Sequence, residues 1–193
     1  MNYLLAGLVL FFGVHSIAIV APAWRDVMAA RLGQIPWKAL YSVLSIAGFV
    51  LLVHGYALAR HDPLVLYTTP PFMRDVTALL MLPVFPLLLA TYLPGRIQSA
   101  VKHPTLVATK TWAVAHLLVN GSLADVLLFG GFLVWAVADR IAVRRRAVER
   151  RPRGAPPAPA NDWIAVVGGL VVYIVFVVWA HQALIGVPPL PPR

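Results

Sequence analysis

Two histidines are set inside apolar runs: His15 in LVLFFGVHSIAIV and His116 in TKTWAVAHLLVNG. An imidazole at membrane depth costs free energy unless it is neutral and partnered, so its default reading is a functional one. Neutral imidazole is a good ligand for haem iron, and two helices of a membrane bundle can supply both axial ligands. A hydrogen bond to a neighbouring helix would serve either ring as well. His54 and His181 fall near the outer ends of their apolar runs, either as a second pair or at headgroup level. His103 precedes Pro104, and His61 lies in a loop. The chain has no cysteine, which excludes disulfides, Cys-ligated zinc, iron–sulfur clusters and thiolate haem ligation.

The elements that must position these histidines follow from composition. Of 193 residues, 60% are hydrophobic and 12% charged. Apolar stretches approach the ~20 residues that cross a bilayer core as a helix, without the alternation of an outer-membrane barrel. The expected fold class is all-α: one polytopic transmembrane bundle over 1–193, with a flexible, basic, Pro/Ala-rich cytoplasmic loop at 141–162. Six spans are expected, at about 3–22, 38–58, 75–92, 105–120, 122–140 and 163–184. The fourth is the shortest and carries Lys110.

Lys and Arg number three, two, three, none and seven in the successive loops, with Arg193 last. Six spans put thirteen on one side and three on the other. The positive-inside bias then places both termini outside, in the periplasm of a bacterium. Seven of the basic residues crowd into 140–153. The net charge of +9 therefore points to anionic lipid headgroups and not to nucleic acid. MNYLLAGLVLFF lacks a basic n-region, which disfavours a cleaved signal peptide despite APA at 21–23.

Within these spans, His15 lies roughly 10 Å and His116 roughly 17 Å from the inner helix ends. Thr109, Ala113, His116 and Asn120 share one helical face, a small and polar stripe expected to point into the bundle. Tyr41, Ser45, Gly48, Leu52 and Gly55 form a second such stripe. Phe11, Phe12, His15 and Ile19 line one side of the first span. Pro83 and Pro86 predict a kink in the third. Gly130 and Gly131 predict close helix approach in the fifth.

FFGVHS at 11–16, IPWKALYSVLSIAG at 35–48 and KHPTLVATKTWAVAHLLVNGSLADVLLFGGFLVWAVADR at 102–140 together resemble the NnrU family. These are bacterial membrane proteins associated with nitrite and nitric oxide reduction. The HS and HP–W–AH pattern is also similar to plant zeta-carotene isomerase, a haem b membrane enzyme that flips a cis double bond. The histidines implicated in haem ligation there correspond to His15 and His116. A cysteine that is another candidate ligand there corresponds to Ala113, so no thiolate switch is available here.

The resemblance implies haem b in the bacterial inner membrane, with His15 and His116 as axial ligands. His103, Asn120, His54 and His181 are secondary candidates. Nitric oxide or an apolar polyene would be the small-molecule partner, the latter in a haem-dependent isomerisation. A membrane factor for assembly or maturation of denitrification enzymes is the alternative in a different class. The HP dipeptide also occurs in membrane methyltransferases that carry a paired glutamate. Glu149, in the basic loop, is the sole glutamate here, which makes that third reading the weakest.

Overall fold

The computed structural model describes residues 1–145 and 154–190. Residues 146–153 of the expected basic loop, and 191–193, lie outside the described residues. All regular structure among the described residues is helical apart from one isolated bridge, Val65 to Ser122. The chain divides into two units. The first combines Met1–Leu66 with Ser122–Arg145, and the second combines Tyr67–Gly121 with Arg146–Arg193.

The first unit is built on α1 (Asn2–Val20), α3 (Gln34–Ala59) and α8 (Leu123–Arg144), with α2 (Pro22–Leu32) after α1. Helices α1 and α3 run antiparallel, and the expected stripe on α3 is their contact face. A Cβ at Gly55 would strike the Leu4 backbone, and one at Gly7 the Leu52 backbone. At Gly48 it would come within 2.8 Å of the Phe11 amide. Small residues therefore let the two backbones meet, which is how apolar helices gain packing energy where lipid offers no hydrophobic drive. Leu4 is fully buried there, and Leu8 and Leu52 nearly so.

Helix α2 was not foreseen. Pro22 opens it, Trp24 packs edge-on against Trp37, and Gly33, at φ 86°, turns the chain into α3. Only glycine adopts that φ without cost. Helix α8 begins with a capping box. Ser122 Oγ accepts from the Asp125 amide, while Asp125 Oδ2 accepts from the Ser122 amide at 2.9 Å. The Tyr56 phenol donates to Asp125 Oδ1 at 2.6 Å, tying α3 to α8 and satisfying a buried carboxylate.

The second unit contains α4 (Met73–Met81), α5 (Val84–Ala90), α6 (Arg96–Val101), α7 (Pro104–Leu117) and α9 (Asn161–Val175). A π-helical turn, Phe176–Ala180, and the short α10 (His181–Ile185) continue α9. The expected kink is present: the third span breaks between Met81 and Val84, at Pro83. Its packing is tight, because a Cβ at Gly169 of α9 would strike the Pro86 backbone. Tyr173 donates to the Ala78 carbonyl at 2.9 Å, and Thr77 to the Ala115 carbonyl at 2.9 Å. Asp162 accepts from the Arg96 and Ile97 amides at 2.9 and 3.0 Å. Asn161 Nδ2 donates to Pro94 and Pro156 carbonyls, and the Ala155 amide to the Tyr92 carbonyl. These bonds anchor the end of the expected Pro/Ala loop.

Among the described residues, five helical segments are long and apolar enough to cross a membrane: Asn2–Val20, Gln34–Ala59, Met73–Ala90, Leu123–Arg144 and Asn161–Ile185. Their outward residues are apolar: Val9, Val43, Ile46, Val134 and Val178 are all more than 60% exposed. That surface suits lipid and not water. The expected fourth span falls outside this set. It forms α7, whose fourteen residues reach about 21 Å, short of a ~30 Å hydrocarbon core. The helix ends early because Asn120 turns back to cap the His116 carbonyl, and Ser122 starts the next helix.

The two glycines of α8 behave differently. Gly131 faces the tip of the Phe12 ring, whereas nothing lies within 4 Å of a Cβ at Gly130. Gly55→Val or Gly7→Val should therefore lower stability in detergent by about 1–3 kcal/mol through overpacking. Gly130→Val should leave melting nearly unchanged. Equal melting of all three variants would remove the glycine contact from the fold.

Candidate functional site

His15 is held by three helices of the first unit. Its Nδ1 donates to the Phe11 carbonyl one turn back at 2.8 Å. The carbonyl can only accept, so Nδ1 carries the proton and Nε2 carries the lone pair of the neutral ring. The ring stacks on Phe11, with centroids 4.0 Å apart and planes at 25°. Tyr41 of α3 and Trp135 of α8 present their rings edgewise, at 5.4 and 6.0 Å. Phe132 packs on both Phe11 and Phe12. The half-buried imidazole thus has fixed orientation on an aromatic wall.

Sequence reasoning overlooked two polar atoms. Trp135 Nε1 and Ser45 Oγ are buried and make no hydrogen bond. The Tyr41 phenol lies near the Ser45 hydroxyl, but not at hydrogen-bonding geometry. Orphaned buried donors are rare in folded proteins and call for an explanation. Ser45 belonged to the small-residue stripe, where its hydroxyl carried no separate signal. Trp135 lay in an apolar run and resembled an ordinary packing residue.

In the second unit, His116 repeats the arrangement of His15. Its Nδ1 donates to the Trp112 carbonyl, again four residues back, at 2.9 Å. The Trp112 ring lies 5.3 Å away. Asn120 Nδ2 donates to the His116 carbonyl at 3.0 Å, and the Asn120 carbonyl accepts from Tyr67 at 2.9 Å. Ala113 is fully buried, while Thr109 hydrogen-bonds its own helix at Thr105. The expected polar stripe on α7 is therefore buried in part.

The remaining candidates take separate roles. His103 is the N-cap residue of α7, and its carbonyl accepts from the Leu106 and Val107 amides. His54 is exposed, with Tyr3 edgewise at 5.7 Å. His181 follows the π-helical turn and donates from Nδ1 to the Val187 carbonyl at 2.6 Å. Among the described residues, no group of three or more His, Asp or Glu could hold a metal ion. A haem iron needs no such group, since two imidazoles complete its coordination.

Ser45→Ala removes a hydroxyl that has no partner and should raise stability by up to about 1 kcal/mol. Thermal unfolding of the unloaded protein in detergent checks this. A fall of several degrees would mean that Ser45 has a bond partner and that the wall around His15 is closed.

No curated protein and no solved structure matches the chain. The family described as NnrU protein matches residues 3–189, nearly the whole length, including both histidine-bearing helices and the final span. The chain belongs to the NnrU family.

Proposed function

We propose that this NnrU protein is a multi-pass membrane protein that binds haem b, with His15 and His116 as its axial imidazoles. The observation that carries the reading is the shared tether: each ring gives its Nδ1 proton to the carbonyl four residues earlier. Such a bond selects the tautomer with Nε2 as metal ligand, fixes the ring, and raises its basicity. The donor wall of Tyr41, Ser45 and Trp135 suits a bound group with a polar edge beside His15. Bound haem would supply redox chemistry and affinity for small diatomic ligands such as nitric oxide, while the chain supplies orientation and an apolar surround. That role would lie in nitrite and nitric oxide metabolism, a reading that the family resemblance supports. A haem-dependent isomerisation of an apolar polyene is the form an enzymatic activity would take.

The proposed topology keeps six crossings, with α7 as a short one, both termini in the periplasm and the basic loop in the cytoplasm of a bacterial inner membrane. The thirteen-to-three division of Lys and Arg supports it. Lys110, seven residues into α7, would snorkel toward the inner surface. Reporter fusions after Ser122 and after Arg153 should report opposite sides. The same side for both would remove the α7–α8 hairpin from the bilayer.

Protein purified from haem-replete cells should show a Soret band, with α and β bands sharpening on reduction. His15→Ala and His116→Ala should each lower haem content or leave a five-coordinate spectrum, and His61→Ala should do neither. Absence of haem from fully reconstituted protein would overturn the reading and leave a non-catalytic assembly factor, in which the same tethers simply satisfy buried rings. A wild-type six-coordinate spectrum in both variants would discard these two ligands.

A further inference from the structure

A second polar feature lies wholly within the second unit, at the end of α7 beyond His116. Tyr67, Thr68, Thr69, Pro70, Pro71 and Arg74 line a half-open cavity of about 340 Å³, with Val119 as its apolar member. Its frame is stiff. Two consecutive prolines fix the backbone, and the Tyr67 phenol bonds the Leu117 and Asn120 carbonyls at the end of α7. The Tyr67 amide bonds the Gly121 carbonyl at 3.2 Å. The Met73 and Arg74 amides are taken by the Pro70 and Pro71 carbonyls. The side-chain groups that can meet a ligand are the guanidinium of Arg74 and the hydroxyls of Thr68 and Thr69.

Arg74 is exposed and makes no ion pair or side-chain hydrogen bond among the described residues. It stands in the first turn of α4, where the helix dipole is already positive and a cation costs stability unless an anion answers it. The cavity also sits at the start of the Met73–Ala90 span, beside an exposed Phe72. Aromatic side chains at the end of a span mark the headgroup level of a bilayer. An oxyanion at that level would meet Arg74, and a guanidinium fork matches the two oxygens of a phosphate.

We propose that this cavity is a phosphate-binding site, with Arg74 as the charged contact and Thr68 and Thr69 as hydroxyl donors. The phosphate comes from an anionic phospholipid headgroup or from a free phosphate in solution. The site is independent of haem, and its test does not involve haem.

Full-length protein in mild detergent is titrated with dioctanoyl phosphatidylglycerol, and the bound fraction is read by native mass spectrometry. Inorganic phosphate is titrated separately, with thermal stability as the readout. Arg74→Gln should weaken binding about tenfold, and Arg60→Gln, outside the cavity, should leave it unchanged. Thr69→Val, which keeps the charge and nearly the volume, should weaken binding several-fold and serves if Arg74→Gln fails to fold. Arg74-dependent binding of the lipid supports the site with a headgroup as its source. Arg74-dependent stabilisation by phosphate, with no lipid binding, supports it with a free anion. Binding of neither, or equal binding by wild type and both cavity variants, overturns the proposal.

Discussion

The backbone contact between α1 and α3 is the constraint on which the first unit depends. Gly7, Gly48 and Gly55 bring the helices together until main-chain atoms of one meet main-chain atoms of the other. In lipid this replaces the hydrophobic drive, because a tail surrounding a separated helix is as apolar as a leucine. The close approach also sets the height of α3 against α1, and through it the position of Tyr41 beside His15. A larger residue at any of the three positions would separate the helices and open the aromatic wall.

Backbone and side-chain polarity imposes a second rule, since groups buried in a spanning segment must find partners within the protein. The chain meets it mostly by short local bonds. His15 and His116 use the carbonyl four residues back, and Asp125 uses its own cap plus one phenol. Tyr173 and Thr77 reach carbonyls on neighbouring helices of the second unit. Against this background Trp135 Nε1 and Ser45 Oγ stand out. Each carries a desolvation cost of about 1–3 kcal/mol without a compensating bond. The cost falls on the helices that frame His15, so a ligand with an acceptor would gain more there than on a satisfied wall.

Helical class and five helices of membrane-crossing length were legible because long apolar runs have one physical meaning at this composition. The glycine face of α3 was legible because period 3.6 places Gly48, Leu52 and Gly55 on one side. The kink at Pro83 followed from a missing amide. Helix α2 was not legible: Arg25, Asp26 and Arg31 break up its apolar face, so the segment reads as a loop. The end of α7 was overestimated because Leu117, Leu118 and Val119 are apolar, whereas the chain ends the helix with Asn120 bonded back to His116. Gly130 and Gly131 look alike in sequence, yet they lie about 100° apart around a helix, and only Gly131 meets a neighbour. At the candidate site, His15 stood out by type, but Trp135 and Ser45 did not. What distinguishes those two is a missing partner, and that emerges only when the neighbouring helices are in place.

The identical tether on two histidines, from helices of unlike sequence, admits two physical explanations. A helical histidine can satisfy its own Nδ1 through the carbonyl one turn back, which costs nothing beyond a rotamer. The same bond fixes Nε2 as the lone-pair atom and directs it away from its own backbone, as a metal ligand requires. Local satisfaction alone would be served equally well by a serine or threonine, which bond the same carbonyl without bringing a second nitrogen into an apolar span. Thr109 on α7 does so two turns before His116, through the Thr105 carbonyl. Imidazole therefore brings something that the cheaper side chain lacks, and that is Nε2. Under the proposed haem reading, ligation would be the use of that atom on both helices.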